Sequence, residues 1–190
     1  MLEGIARITM AVYNTPSDAA NTAVRSFLTQ VGEYYLKHSF NTGSGKGKKI
    51  WESIRDEDFQ TRCAYCGQES DTLQIEHLLM FNRTEFGLHH PGNIVPCCKP
   101  CNKRERNEDS SYTGWENHLT KVCKSRSELE QFEKRKQKII SNIQKHGYPN
   151  LSINESHAIR VIANSLYENI KTESGKSLTM YKQLDEAFVK

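Results

Sequence analysis

Cys63-Ala-Tyr-Cys66-Gly67 and Cys98-Lys-Pro-Cys101-Asn102 frame the stretch whose reading decides the fold. Between them stand Glu76-His77, closing a short apolar run, and Asn93, opening another. Each Cys-x-x-Cys knuckle turns two sulfurs to one side, and four thiolates so presented suit one tetrahedral structural zinc with Zn–S of about 2.3 Å. The rival reading is a buried or redox-active thiol set. Cys98, not Cys97, has the two-residue spacing to Cys101, so Cys97 and Cys123 read as packed thiols. The residues between the knuckles are a different kind of set. A carboxylate beside an imidazole, with amides further on, is chemistry for a hard divalent cation and a general base. For His77 alone a satisfied structural histidine is the plain alternative, and Asn93 and Asn102 read singly as turn or helix-start residues.

Taken in order, CAYCG (63–67), IEHLL (75–79) and GNIVPCCKPCNKRE (92–105) resemble the HNH (ββα-metal) endonucleases in their zinc-stapled form. The likeness covers about residues 63–106 and leaves the flanks unassigned. The family's His, Asn, and His-or-Asn positions fall on His77, Asn93 and Asn102, with Glu76 where an acidic residue usually precedes the first His. The resemblance implies an α+β fold, a small ββα-metal core with a structural zinc flanked by N- and C-terminal helices. It implies that Glu76 and Asn102 hold a catalytic Mg²⁺ or Mn²⁺. His77, uncharged, would take the proton of the attacking water, and Asn93 would orient His77 or hold the loop. Lys103, Arg104 and Arg106, with Arg83 from the loop, would grip DNA phosphates, giving affinity without sequence reading. Small zinc-stapled HNH chains also resemble nuclease subunits of antiphage systems that pair with an ATPase, such as Septu. A restriction or homing endonuclease is the alternative role. Two rivals from other classes are a non-catalytic zinc-ribbon DNA-binding module and an interaction subunit.

The chain has 190 residues and a net charge of only +3, so affinity for nucleic acid must come from local patches. Glu3 and Arg7 break any apolar signal core, and no run is long enough to span a membrane, so the expected compartment is a reducing cytoplasm. The expected division is a helical segment over 1–60, the nuclease core over 61–110 and a second helical segment over 111–190.

Thr15-Pro16 starts a helix, and Ala20, Val24, Phe27, Leu28, Val31 and Tyr35 line one face of it. The stretch 41–49, rich in glycine and lysine, lacks a phosphate-loop pattern and reads as a flexible basic loop before a short helix over 50–59. Strands are expected over 72–79 and 93–96, with a helix from about Cys101 carrying Lys103, Arg104 and Arg106. Loop residues His89 and His90 read as solvent-facing or phosphate contacts, with metal ligation the other option. Residues 107–125 read as irregular, anchored by Trp115 and Leu119. Ser127 and Glu130 suggest a capping box for a helix ending at Gly147, its basic face (Lys134, Arg135, Lys136, Lys138, Lys145) offered to DNA. A fourth helix over 154–172, striped by Ile159, Ile162, Leu166 and Ile170, would stop at Gly175 before a last one over 178–188. The third and fourth are expected to pair antiparallel and to leave a surface for a homo-oligomer or an ATPase partner.

Overall fold

The computed structural model describes residues 15–109 and 111–188, so the reading of Met1–Ala11 lies outside it. Among the described residues, five α-helices and one two-stranded sheet make a mixed α/β architecture. None of the described helices is long and apolar enough to cross a membrane.

Helix α1, Pro16–Leu36, starts where expected: Thr15 and Asp18 form a reciprocal capping box with proline at the first helical position. Its stripe of Ala20, Val24 and Leu28 is buried, with Phe27, Val31 and Tyr35 partly so. The stretch 41–49 is not a loop throughout. Asn41 closes a turn by accepting from the Gly43 N–H at 2.8 Å, and α2, Gly45–Glu52, begins within it. A π-helical turn, Ser53–Asp58, follows and buries Ile54.

Strand β1, Gln74–His77, pairs antiparallel with β2, Ile94–Cys97, in the register Gln74↔Cys97 to His77↔Ile94. Both are shorter than, or offset from, the expected 72–79 and 93–96. Pro91–Asn93 forms a 3₁₀ turn that feeds β2. No helix starts at Cys101. Residues 101–109 form a turn and irregular chain, closed by a bridge between Arg106 and Tyr112. The helix instead comes later, as α3, Trp115–Ser125, within the stretch expected to be irregular. Trp115, His118, Leu119, Val122 and Cys123 recur at helical spacing there, and this stripe is what packs.

Helix α4, Phe132–His146, has no side-chain cap. Ser127 lies in the left-handed region and belongs to the exit from α3, so the expected Ser127–Glu130 box does not form. The far end is as expected, with Gly147 as a left-handed cap. Ile153–Phe188 is one continuous helix, α5, of 36 residues. Gly175 does not break it, because a helical glycine costs about 1 kcal/mol and forbids nothing.

Two apolar clusters result. One gathers Phe40, Trp51, Ile54, Phe59, Tyr65, the cysteines, Ile94, Val95, Leu119 and Ile139 around the sheet. The other joins α1 to α5 through Ala20, Val24, Leu28, Leu88, Ile159, Ala163 and Tyr167. The predicted α4–α5 pair is therefore replaced by α1–α5. Tyr35, near the end of α1, donates to Glu155, near the start of α5, at 2.8 Å. The buried stripe of α5 is Ile159, Ala163 and Tyr167, while Ile162 is half exposed.

Candidate functional site

The four-residue ladder organises the site, because its two ends carry different chemistry. At the Cys97 end, Cys63, Cys66, Cys98 and Cys101 are all buried, and their sulfurs lie within 4.8 Å of one another. Cys66 and Cys98 Sγ are 3.7 Å apart. A tetrahedron with Zn–S of about 2.3 Å has edges of about 3.8 Å, so this set can hold a structural metal such as zinc with no ligand position left for water. Neighbouring thiols pull Cys63 far below the usual thiol range, and Cys63 in turn pushes Cys101 far above it. A divalent cation would let all four ionise. Around the cluster, His118 of α3 shares a hydrogen bond with the Cys101 carbonyl at 2.8 Å and meets Tyr65 edge-on. The Ala64 N–H donates to the Pro96 carbonyl at 2.8 Å, tying the first knuckle to β2. Cys97 and Cys123 are buried outside the set, as packed thiols.

At the other end of the ladder, about 10 Å away at 3.4 Å per residue, are His77 and Asn93. Asn93 is buried and spends its side chain on the loop. Its Oδ1 accepts from the Leu79 N–H at 2.8 Å, and its Nδ2 donates to the carbonyls of Leu79 and Leu88 at 2.9 and 2.8 Å. It closes the loop between the strands, and its side-chain hydrogen bonds go to Leu79 and Leu88. From the other side Asn142 of α4 donates to the Ile94 carbonyl at 3.0 Å. His77 is sandwiched: its ring stacks on Phe81 with centroids 4.9 Å apart, and its Nε2 lies 3.0 Å from His89 Nδ1. Burial, reinforced by His89 and Arg104, pushes its pKa down to about 3, so the ring is neutral at ordinary pH. His89 is lowered too, by burial. The two loop histidines thus differ from expectation. His89 partners His77, and His90 is buried, capping the 3₁₀ turn by accepting from the Gly92 N–H at 3.1 Å.

Arg104 is a correction to the expected phosphate contact. It is buried, with Nε 2.7 Å from Glu76 Oε1 in an ion pair, although that pair's angle falls short of a hydrogen bond. Its other nitrogens donate to the carbonyls of His77 (2.6 Å) and Leu78 (2.8 Å) and to the Tyr65 hydroxyl (3.2 Å). It clamps the end of β1. Glu76 is accordingly buried against a cation, and the Asn102 amide donates to Gln74 Oε1 at 3.0 Å. As arranged, Glu76 is paired with Arg104 and the Asn102 amide with Gln74. The four cysteines are the one cluster of three or more Cys, His, Asp or Glu side chains suited to a metal among the described residues. Arg83 and Arg106 are exposed near the loop, and Lys103 lies on the irregular chain after the second knuckle. The α4 basic face is largely used internally: Arg135 pairs with Glu128, Lys136 with Glu116 and Lys145 with Asp58.

Sequence reasoning missed His118, Asn142 and the pairing roles of His89 and Arg104. The α3 stripe was a readable signal for His118; contacts between residues 27 positions apart, such as Arg104 to His77, leave none. Comparison with protein-family models, with curated proteins and with solved structures found no match to this chain.

Proposed function

We propose that the chain is an HNH-type endonuclease that hydrolyses DNA phosphodiester bonds, with the zinc-stapled sheet as its ββα-metal-like core. What supports this most is that His77 and Asn93 lie at one end of a short ladder whose other end carries the four-cysteine cluster. His77 is the base. In the tautomer that donates from Nε2 to His89 Nδ1, its Nδ1 keeps a lone pair for the proton of the attacking water. His89 is the acceptor in that tautomer, Phe81 stacks on the ring, and Arg104 holds the backbone carbonyl of the same residue. Lys103, Arg83 and Arg106 supply positive charge for DNA. The catalytic Mg²⁺ or Mn²⁺ that the resemblance implies at Glu76 and Asn102 would require Arg104 and Gln74 to release them. Within this reading the biological setting is antiphage defence beside an ATPase, or restriction.

The experiment is cleavage of supercoiled plasmid with Mg²⁺ and with Mn²⁺, by the parent and by His77→Ala. A lost general base lowers the rate by about a hundredfold to ten-thousandfold, with zinc content unchanged. Equal cleavage by the variant sinks the assignment of His77. The closed Glu76–Arg104 pair favours one second reading, a non-catalytic zinc-stapled DNA-binding module. That reading gains if the parent binds duplex and cleaves nothing with either metal.

A further inference from the structure

Three arginines from three separate parts of the chain line one polar cavity of about 360 Å³. Arg25 comes from α1, Arg83 from the loop between the strands, and Arg106 from the bridged chain before α3; Asn21, Asn82, Thr84 and Tyr112 complete the wall. No carboxylate is among these described lining residues. Three exposed guanidiniums at one cavity concentrate positive charge where an anion can reach all of them. Arg83 has a long ion pair, 3.9 Å, with the well-exposed Glu168, and the Glu85 carboxylate accepts from the Tyr112 N–H at 2.9 Å.

The guanidiniums are also pre-oriented. Arg83 lies over the Tyr167 ring at 3.9 Å. Arg106 lies over the Tyr112 ring at 4.8 Å and donates to the Tyr112 hydroxyl at 2.9 Å. Arg25 donates to Thr22 Oγ1 at 3.3 Å. Stacked arginines lose less rotamer freedom when they form bidentate contacts with phosphate oxygens. Asn82 Oδ1 is already spent, accepting from the Thr84 and Glu85 N–H groups, which holds the loop in the shape that aims Arg83. The second basic cavity differs. Of the cations around Phe59 and Gly67, Arg62 is paired with Glu69 and Arg135 with Glu128.

We propose that the Arg25–Arg83–Arg106 cavity seats a backbone phosphate of a DNA strand, one step along the chain from the His77 site. Asn82, in the cavity wall, directly follows Phe81, the residue stacked on His77, so the wall and the His77 site share one loop. The cavity is larger than one phosphate needs, and Tyr112 offers an aromatic wall beside the cations, the pairing that single nucleic-acid strands use. Arg25 lies outside the stretch that resembles the nuclease family, so this contact belongs to the helical flank. The assignment rests on the nucleic-acid reading above.

The test is fluorescence anisotropy with a short labelled DNA, without added divalent cation and in the His77→Ala background, so that cleavage plays no part. Arg25→Gln and Arg106→Gln are each expected to lose about tenfold in affinity and to lower the salt-dependence slope by about one. Lys48→Gln on α2 is the charge-matched control and should bind as the parent does. All three side chains are exposed, and circular dichroism and zinc content should be unchanged. Losses no greater than the control's overturn the proposal. So does displacement of the DNA by inorganic phosphate or a nucleoside monophosphate at submillimolar concentration, which would make the cavity a small-phosphate site. Arginine-dependent binding in a chain that never cleaves DNA would refute the nuclease and leave this cavity standing; the reverse result would do the opposite.

Discussion

Arg104 shows how one side chain can decide the meaning of its neighbours. Its guanidinium neutralises Glu76 in a buried pair and fixes two carbonyls at the end of β1. Burial raises the Glu76 carboxyl above its ordinary range against the pull of Arg104. Removing the cation alone leaves a buried carboxylate without a partner, which typically costs about 3–5 kcal/mol. Arg104→Met is expected to lower the melting temperature sharply, and Arg104→Met with Glu76→Gln to recover much of the loss. Equal melting temperatures for the single and double variants would show that the pair is not coupled. His90 offers a pH-dependent counterpart. Burial, reinforced by His146, His38 and His89, lowers its pKa to about 4 from the ordinary 6.5, and its Nδ1 must stay unprotonated to accept from Gly92. The folded state therefore favours the neutral ring. Stability from this group is complete above pH 6.5 and is lost as pH falls toward 4. His90→Asn keeps an acceptor without a titration, so the fall in melting temperature between these pH values should be shallower in the variant.

At the scale of elements, α1 is what presses His89 onto His77. A Cβ built on Gly32 would stand 2.4 Å from the His89 carbonyl oxygen, so the helix reaches this close only because residue 32 has no side chain. Gly32→Ala must push α1 off the loop, at a cost of about 1–3 kcal/mol. Cleavage should fall further than stability explains, because the His77–His89 contact opens with it. A variant that melts lower but cleaves normally would separate His89 from the site. The same scale explains the misplaced helix after the second knuckle. Asn102 to Glu108 carries helix-compatible residues, but Arg104 is drawn inward to Glu76 and the chain is pinned by the Arg106–Tyr112 bridge. Tertiary pairing overrides local preference there, and the helix forms where Trp115, Leu119 and Cys123 can pack.

Over the whole molecule, two clusters divide the labour: one surrounds the cysteines, the other joins α1 to α5. Structural zinc contributes folding energy directly. Cys66→Ser is expected to abolish stoichiometric zinc and unfold the region from about 63 to 106, while helicity from α1 and α5 persists. Loss of all helical signal would mean the clusters fold as one. Helix α5 has 36 residues against 21 in α1, about 54 Å against about 32 Å. Leu178, Met180, Tyr181, Leu184 and Phe188 on its far half are each half or more exposed. Light scattering should show association that Tyr181→Asp with Leu184→Asp weakens; a parent that stays monomeric at all concentrations would refute this.

The cysteine knuckles, the His77–Asn93 order, the cap at Thr15 and the stop at Gly147 were legible in the sequence, because each depends on residue type and short spacing alone. The two strands were legible in kind, though not their bounds, direction or register. Only the tertiary structure decided that Arg104 faces Glu76, that His89 faces His77, that α5 packs on α1 and that three distant arginines share a cavity. Those outcomes rest on contacts between residues far apart in the chain, whose energies depend on burial and geometry that no local pattern encodes.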